Sequence, residues 1–207
     1  MVADIPKVFA FSKELLKEID DDPAKPKPEQ QEDKFERVAK GMRSATNKLD
    51  GKDAGIIVKI NSLTDDKIVR ALYRASQAGV KVDLIVRGIC VLRPGIAGLS
   101  DNIRVVSIVG RFLEHSRIFY FANDGNAEIY IGSADWMHRN LDRRVEAVVP
   151  IKDEAHKIYL KEEILAAYLQ DNVNASVLQP DGTYEKISIG EGEIEFDSQT
   201  YFVGQEI

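Results

Sequence analysis

The clearest prediction of the fold comes from residues 56–86, which read IIVKINSLTDDKIVRALYRASQAGVKVDLIV. Residues 56–60 are apolar and β-branched around a single lysine, which predicts a buried strand. Ser62-Leu63-Thr64-Asp65 resembles the capping box that starts a helix, and Gly79 stands where that helix would end. Residues 81–86 predict a second strand. A strand, a helix of about four turns and a strand form a β-α-β unit, which favours parallel pairing and a right-handed crossover.

The segments after this unit predict a larger sheet with helices against it. Asn123-Asp124-Gly125 is a strong signal for a hairpin, because these residues adopt the tight turns that connect antiparallel strands. The other predicted elements are strands at 103–108, 116–121, 128–131 and 145–149, a helix at 153–169, and a turn at Pro180-Asp181-Gly182 between short β-like segments. The predicted fold class is therefore α/β, with a mixed β-sheet flanked by helices.

The chain divides into three predicted parts. Residues 1–50 form an N-terminal helical segment, in which the charged, proline-rich stretch 20–34 reads as a flexible connector. Residues 51–172 hold the β-α-β unit and the elements after it, and residues 173–207 form a C-terminal tail. A length of 207 residues suffices for one domain with an appended element or for two small domains.

The composition is that of a soluble globular protein, with 44% hydrophobic and 30% charged residues. No apolar run approaches the roughly 20 residues that span a bilayer, and the N-terminus lacks the layout of a signal peptide. The single cysteine, Cys90, excludes an internal disulfide and suits a reducing cytosol. A cytoplasmic location is expected, with peripheral membrane association left open.

The charge distribution favours a specific polyanion as ligand. The formal net charge of −6 argues against general binding of nucleic acid. The arginines nevertheless gather in the middle third of the chain, where a locally basic site would lie within an acidic protein. They are Arg87, Arg93, Arg104, Arg111, Arg117, Arg139, Arg143 and Arg144.

The strongest site candidates are in two stretches, 111–117 (RFLEHSR) and 130–136 (YIGSADW). In a strand, residues two apart point to the same face, so His115 and Arg117 are predicted to act on one ligand. That ligand is expected to be phosphate, because arginine donates two hydrogen bonds to phosphate and histidine can serve as nucleophile, acid or charge donor. Ser133 and Asp135 could orient His115 or bind phosphate oxygens; the alternative is a plain turn.

Arg87 and Arg111 are the other candidates for phosphate binding. Arg87 follows an apolar strand and precedes Gly88, at the edge of an open α/β sheet where ligands collect. The alternative for Arg87 is a salt bridge at a strand end. Arg111 and Arg117 could line the path of a polyanion or could pair with Glu114 or Asp135. No Walker loop and no histidine–cysteine cluster with zinc spacing is present in the sequence.

Many of these residues together resemble one family. They are Ile57–Leu63, Ala71–Val80, Leu84–Cys90, Leu92–Gly95, Ser107–Arg117, Gly132–Met137 and Arg139–Glu146, and they look like the last catalytic domain of the bacterial polyphosphate kinases. The resemblance runs from about residue 54 to 152. It implies reversible transfer of the terminal phosphate of ATP to inorganic polyphosphate, with magnesium, and a phospholipase D-like fold. His115-x-Arg117 and Gly132-Ser133-x-Asp135 look like a variant of that superfamily's His-x-Lys and Gly-Ser-x-Asn pattern.

The same resemblance implies that Arg87 and His115 bind the nucleotide or its phosphates, and that the histidine carrying the phosphoryl group lies in the preceding catalytic domain. That domain has no counterpart among these residues, so half an active site is expected, with magnesium ligands outside this chain and no turnover by the chain alone. The implied partners are ATP or ADP, polyphosphate, and the remaining kinase domains or further subunits, with self-association as a homo-oligomer. The alternatives are a stand-alone phosphodiesterase of phospholipase D type and a non-catalytic polyphosphate-binding module.

Overall fold

The computed structural model describes residues 55–205, and the predicted helical segment 1–50 lies outside the described residues. The described chain forms one mixed sheet whose strand order is β6-β5-β4-β1-β2-β3-β7-β8. The strands are β1 (Gly55–Ile60), β2 (Lys81–Val86), β3 (Ile103–Ile108), β4 (Ile118–Phe121), β5 (Glu128–Gly132), β6 (Val148–Ile151), β7 (Ala175–Leu178) and β8 (Tyr184–Lys186). The prediction of a mixed sheet in an α/β fold is confirmed.

The centre of the sheet is parallel, as the β-α-β prediction requires. β1 pairs with β2 from Gly55 opposite Lys81, and β2 pairs with β3 in the same direction. Every other pairing in the sheet is antiparallel. The carboxyl ends of β1, β2 and β3 therefore meet at one edge.

The helix between β1 and β2 is α1 (Asp66–Gln77), which has 12 residues and is about one turn shorter than expected. The predicted capping box at Ser62 is wrong, because Asp65 caps the helix by accepting hydrogen bonds from the backbone amides of Lys67 and Ile68. The preceding Leu63 is held outside the helix, since its backbone amide donates to the carbonyl of Ile89 at 2.8 Å.

The remaining helices lie after the hairpin. They are α2 (His138–Asp142), α3 (Glu154–Ile158), a π-helical segment (Tyr159–Leu165), α4 (Ala166–Gln170) and α5 (Ser198–Val203). The helix predicted over residues 153–169 is thus present, but its middle seven residues are wound as a π-helix. No helix in the described range 55–205 is long and apolar enough to cross a membrane.

Two apolar clusters cover the two faces of the sheet. Val58 and Ile60 of β1 pack with α1 in the first cluster, whereas Leu165 and Tyr168 belong to the second. Side chains alternate between faces along a strand, so Lys59 points away from Val58 and Ile60, toward the face covered by α4. This alternation puts a lysine in the interior beside Tyr168.

The hairpin is present, but its first strand starts later than predicted. β4 begins at Ile118 and pairs with β5 from Ile118 opposite Ile131, so residues 115–117 precede the strand. The expectation that His115 and Arg117 share one face of a strand is therefore wrong. The strand predicted at 145–149 also lies later, at β6, because the loop before it is closed by a bond from the Ser133 amide to the carbonyl of Ala147.

The segment after residue 172, predicted as a C-terminal tail, supplies strands to the same sheet. β7 pairs with β3 from Val106 opposite Val177, and β8 pairs with β7. The predicted turn at Pro180-Asp181-Gly182 joins the two strands, and Gly182 has a φ of 93° that favours glycine. α5 then returns to the carboxyl edge of the central strands.

Candidate functional site

The site lies at the carboxyl edge of the parallel strands, where Asn61 follows β1 and Arg87 follows β2. The backbone amide of Gly88 donates to the carbonyl of Asn61 at 2.7 Å. A Cβ atom at Gly88 would lie 2.9 Å from that carbonyl oxygen, so only glycine permits this approach without a shift. The two strand ends are thereby held side by side.

Asn61 connects the predicted arginines to each other. Its side-chain oxygen accepts a hydrogen bond from Arg87 Nε at 3.2 Å. Its backbone amide and its side-chain nitrogen both donate to Asp135 Oδ1, at 2.7 and 3.2 Å. Because Asn61 is buried, these bonds fix both neighbours with little freedom.

Arg117 and Asp135 form a two-pronged ion pair. Arg117 donates through Nε to Oδ1 at 3.2 Å and through Nη2 to Oδ2 at 3.0 Å. Burial disfavours the charged carboxylate, but the hydrogen bonds from Arg117 and Asn61 outweigh burial and hold the pKa of Asp135 below its ordinary value. Of the two predicted partners for Arg117, the structure therefore selects Asp135.

His115 lies in the histidine loop, which we define as residues 109–117 between β3 and β4. Arg117 Nη1 donates to the backbone carbonyl of His115 at 2.7 Å, so the ion pair also holds the main chain at the histidine. The His115 side chain is exposed and lines an open cavity of about 390 Å³ together with Ser116, Tyr168 and Gln199. Its imidazole is thus accessible to a ligand.

A buried lysine lies beneath this loop. Lys59 is 2% exposed, and its Nζ lies 3.0 Å from Glu114 Oε2 and 4.5 Å from the centroid of the Tyr168 ring. Burial lowers the pKa of Lys59 despite the attraction of Glu114, and the charges of Arg87 and Arg117 act in the same direction as burial. The side chains of Lys59, Arg87 and Arg117 are therefore close enough to influence one another electrostatically at the strand ends.

Burial and the Glu114 carboxylate raise the pKa of Tyr168, so its phenol stays neutral at physiological pH. Glu114 is the acidic partner in this interior, and it also accepts a hydrogen bond from Gln199 at 2.8 Å. Glu114 is therefore neutralised inside the protein by Lys59. Among residues 55–205, the Arg87 guanidinium donates only through Nε, to the neutral amide of Asn61.

Ser133 belongs to a second polar group beside the ion pair. Its hydroxyl donates to Glu146 Oε2 and accepts from the Ala147 amide at 3.0 Å, and Glu146 also accepts from Asn140. These bonds close the loop between β5 and β6. Hydrogen bonds thus link Arg87 through Asn61 to Asp135, Asp135 to Arg117, and Arg117 to the backbone carbonyl of His115. Ser133 lies two residues before Asp135 in the chain.

Arg111 is the least integrated of the predicted residues. It is exposed, and its guanidinium lies 5.2 Å from the centroid of the neighbouring Phe112 ring. Its place on the histidine loop keeps it near His115 in the chain, but none of the bonds that join Asn61, Arg87 and Asp135 includes it.

Two residues of the site, Asn61 and Lys59, were not among those predicted. Asn61 had a signal in the sequence, since it is the first polar residue at the carboxyl end of an apolar strand. Lys59 had one as well, because a lysine within an otherwise apolar strand must find an anion in the interior. Neither signal names the partner, which comes from a distant part of the chain.

The described residues offer no ligand set for magnesium. Among residues 55–205, no group of three histidine, cysteine, aspartate or glutamate side chains could hold a metal ion. Asp135 is engaged by Arg117 and Asn61, Glu114 by Lys59 and Gln199, and magnesium prefers oxygen ligands that are not already committed to cations.

Comparisons with known proteins show the family of the chain. A family model described as polyphosphate kinase C-terminal domain 2 matches residues 28–199. The chain belongs to this family. The polyphosphate kinase of Thermosynechococcus vestitus is 59% identical over 153 residues, which are 74% of this chain and 21% of that protein. The chain thus spans about a fifth of the length of that polyphosphate kinase.

One solved structure gives the same family. Polyphosphate kinase from Porphyromonas gingivalis aligns with 94% of this chain and 31% of its own, at a TM-score of 0.73 and 34% identity. A phospholipase D family member from Salmonella typhimurium aligns with 66% of this chain and 89% of its own, at a TM-score of 0.46 and 17% identity. The resemblance to polyphosphate kinases drawn from the sequence is confirmed.

Proposed function

We propose that this chain supplies the phosphate-binding C-terminal part of a polyphosphate kinase active site. In that role it holds ATP and polyphosphate while the terminal phosphate of ATP passes reversibly to the polymer. The observation that carries the proposal is the cluster at the carboxyl edge of β1 and β2 in a member of this family. There Arg87 is linked through Asn61 to Asp135, and Arg117, the partner of Asp135, also bonds the backbone carbonyl of the exposed His115. The buried Lys59 pairs with Glu114, the residue before His115.

Arg87 is the proposed phosphate contact. Its Nε donates to Asn61, and no residue between 55 and 205 accepts from its two terminal nitrogens. These nitrogens can donate to phosphate oxygens in the planar geometry that arginine favours. His115 is the proposed second contact, as a proton donor or charge donor to a departing phosphate oxygen. Both groups are held by backbone or side-chain bonds before the ligand arrives, which lowers the entropic cost of alignment.

Arg117 and Asp135 are proposed to act mainly by holding Asn61 and the backbone of His115 in place, since their charges neutralise each other in the ion pair. Ser133 and Arg111 are proposed as outer contacts along the path of the polymer. The phosphoryl-accepting histidine implied by the family resemblance belongs to the preceding catalytic domain, so the partners of this chain are the remaining kinase domains or further subunits, in a cytoplasmic homo-oligomer. Phosphoryl transfer depends on positioning and on neutralising charge, and these residues supply both.

The proposal is tested by titrating the purified chain calorimetrically with ATP and with tripolyphosphate at one fixed low salt concentration. Arg87→Ala and His115→Ala are each expected to weaken binding about tenfold or more, because each removes a charge-assisted hydrogen bond. Arg74→Ala is the matched control: Arg74 is an exposed arginine in the last turn of α1, and its loss should leave the affinity within about twofold. Equal affinities for wild type and both site variants would overturn the proposal.

A further inference from the structure

A glutamine of the C-terminal helix closes onto the histidine loop. Gln199, the second residue of α5, accepts a hydrogen bond from the Phe112 backbone amide at 2.9 Å and donates to the Phe112 carbonyl at 2.8 Å. Its side-chain nitrogen also donates to Glu114 Oε1 at 2.8 Å. The buried side-chain amide of Gln199 therefore bonds to both the N–H and the C=O of Phe112, as a residue of a neighbouring strand would. It also holds the Glu114 carboxylate, which pairs with Lys59.

The backbone of Gln199 is itself fixed to the end of α4. The preceding residue Ser198 donates through its amide and its hydroxyl to Asp171 Oδ2, at 2.9 and 2.6 Å. Asp171 is 1% exposed, and its other oxygen accepts from the amides of Val173 and Asn174. Gln199 thus reaches the loop from an anchored position, 84 residues beyond His115 (199 minus 115) in the sequence.

Gly110 supplies an independent sign of close fit. A Cβ atom at Gly110 would lie 2.6 Å from Gln199 Oε1 and 3.0 Å from its amide carbon. Such a distance forces the amide to move, and the amide cannot move without breaking its bonds to Phe112. The same Cβ atom would lie 3.2 Å from Asn174 Cγ. Since Gly110 does not have a positive φ, its alanine variant tests these side-chain contacts, of which that with Gln199 is the shortest, and not backbone strain.

We propose that Gln199 is a positioning residue for His115. It acts through the histidine loop. By bonding to Phe112 and Glu114 it fixes the position of the backbone that leads to His115. It also fixes the Glu114 carboxylate that pairs with Lys59. The effect of Gln199 on phosphate binding rests on the proposed function. The effect of Gln199 on the placement of His115 is independent of the proposed function and is measured separately.

The experiment compares four variants of the full chain: Gln199→Ala, Gln199→Glu, Gly110→Ala and the control Gln77→Ala. Gln77 also donates one side-chain bond to a loop carbonyl, that of Gly98, but on α1. Three quantities are measured: the exchange rate of the Phe112 amide, the NMR resonance of the His115 ring, and the affinity for tripolyphosphate. Glutamate keeps the size of glutamine but cannot donate, so it separates hydrogen bonding from packing.

Gln199→Ala and Gly110→Ala are each expected to speed exchange of the Phe112 amide about tenfold. Gln199→Glu keeps an acceptor for that amide but loses the donations to the Phe112 carbonyl and to Glu114. All three variants are expected to move the His115 resonance and to weaken tripolyphosphate binding. Gln77→Ala should change none of these. In a double-mutant cycle, Gln199→Ala should cause little further loss of tripolyphosphate affinity in the His115→Ala background. If Gln199 acted independently of His115, the two losses of binding free energy would add.

An unmoved His115 resonance in the glutamate and Gly110 variants, both folded, would overturn the inference, as would full additivity in the cycle. If wild-type chain binds no tripolyphosphate, the proposed function fails, but the exchange rate and the ring resonance still decide whether Gln199 places His115.

Discussion

Arg117 donates hydrogen bonds to both carboxylate oxygens of Asp135, which is 18 residues away in sequence. The pair joins the end of the histidine loop to the turn after β5. Asp135 in turn holds the main chain of Asn61 at the end of β1. Three separate segments are therefore fixed by one carboxylate, and its loss should affect both the stability of the domain and the geometry of the site.

Asp135→Ala is expected to lower the free energy of unfolding by about 3–5 kcal/mol, because it leaves the largely buried Arg117 cation without its partner. Urea denaturation followed by circular dichroism measures this loss. Asp66→Ala is the control, since Asp66 forms an exposed pair with Arg70 and should cost less than about 1 kcal/mol. Equal losses in the two variants would contradict the assignment of Arg117 to Asp135.

The same ion pair predicts a pH dependence. The pKa of Asp135 in the folded chain lies below its ordinary value of 3.8, so the unfolded chain takes up the proton first as the pH falls. The stabilisation is fully present above about pH 4 and is lost as the pH falls through the folded-state pKa. Asp135→Asn should therefore show a shallower decline in stability than the wild type as the pH falls below about 4. Parallel curves for the two proteins would contradict this.

Lys59 and Glu114 are expected to depend on each other. Lys59→Met should destabilise the chain by about 3–5 kcal/mol, because the buried Glu114 carboxylate then lacks its cation. Lys59→Met combined with Glu114→Gln should recover part of that loss, since no unpaired charge remains in the interior. Chemical denaturation of both single variants and the double variant gives the coupling energy. A double variant as unstable as the sum of the single variants would show that the two side chains are independent.

Cys90 is expected to be a slow nucleophile. Burial raises the pKa of its thiol to about 11, so little thiolate exists at neutral pH. Because it is the only cysteine in the chain, alkylation by iodoacetamide at pH 7.5 reports on it alone. The rate should rise strongly when the chain is unfolded in guanidinium. A folded chain that reacts as fast as the unfolded one would contradict the prediction.

The 207-residue chain is expected not to make polyphosphate from γ-labelled ATP, because the phosphoryl-accepting histidine implied by the resemblance lies in the preceding catalytic domain. The assay scores long-chain product and acid-labile label on the protein, with His115→Ala alongside. Product or label that depends on His115 would make this histidine the centre of the chemistry. Hydrolysis of a bis-aryl phosphate ester, lost in His115→Ala, would favour a phosphodiesterase instead.

Much of the fold could be predicted because its signals are local. Three signals each occupy a short stretch of sequence: the β-branched run of β1, the apolar residues at helical spacing in α1, and the turn at Asn123-Asp124-Gly125. Boundaries were less accurate where long-range bonds decide them. Asp65, not Ser62, caps α1 because the chain before it is held by Ile89, and β4 starts after Arg117 because Arg117 turns toward Asp135.

The fold class, the resemblance to the family and the candidate residues Arg87, His115 and Asp135 could be inferred from residue types and short spacings. The contacts between distant groups could be read only from the folded chain. Asn61 and Asp135 are 74 residues apart, and Gln199 and Glu114 are 85 apart. The physical reason is that a strand or a helix fixes its neighbours in sequence, whereas an ion pair or a buried amide finds its partner only when sheet and helices have packed.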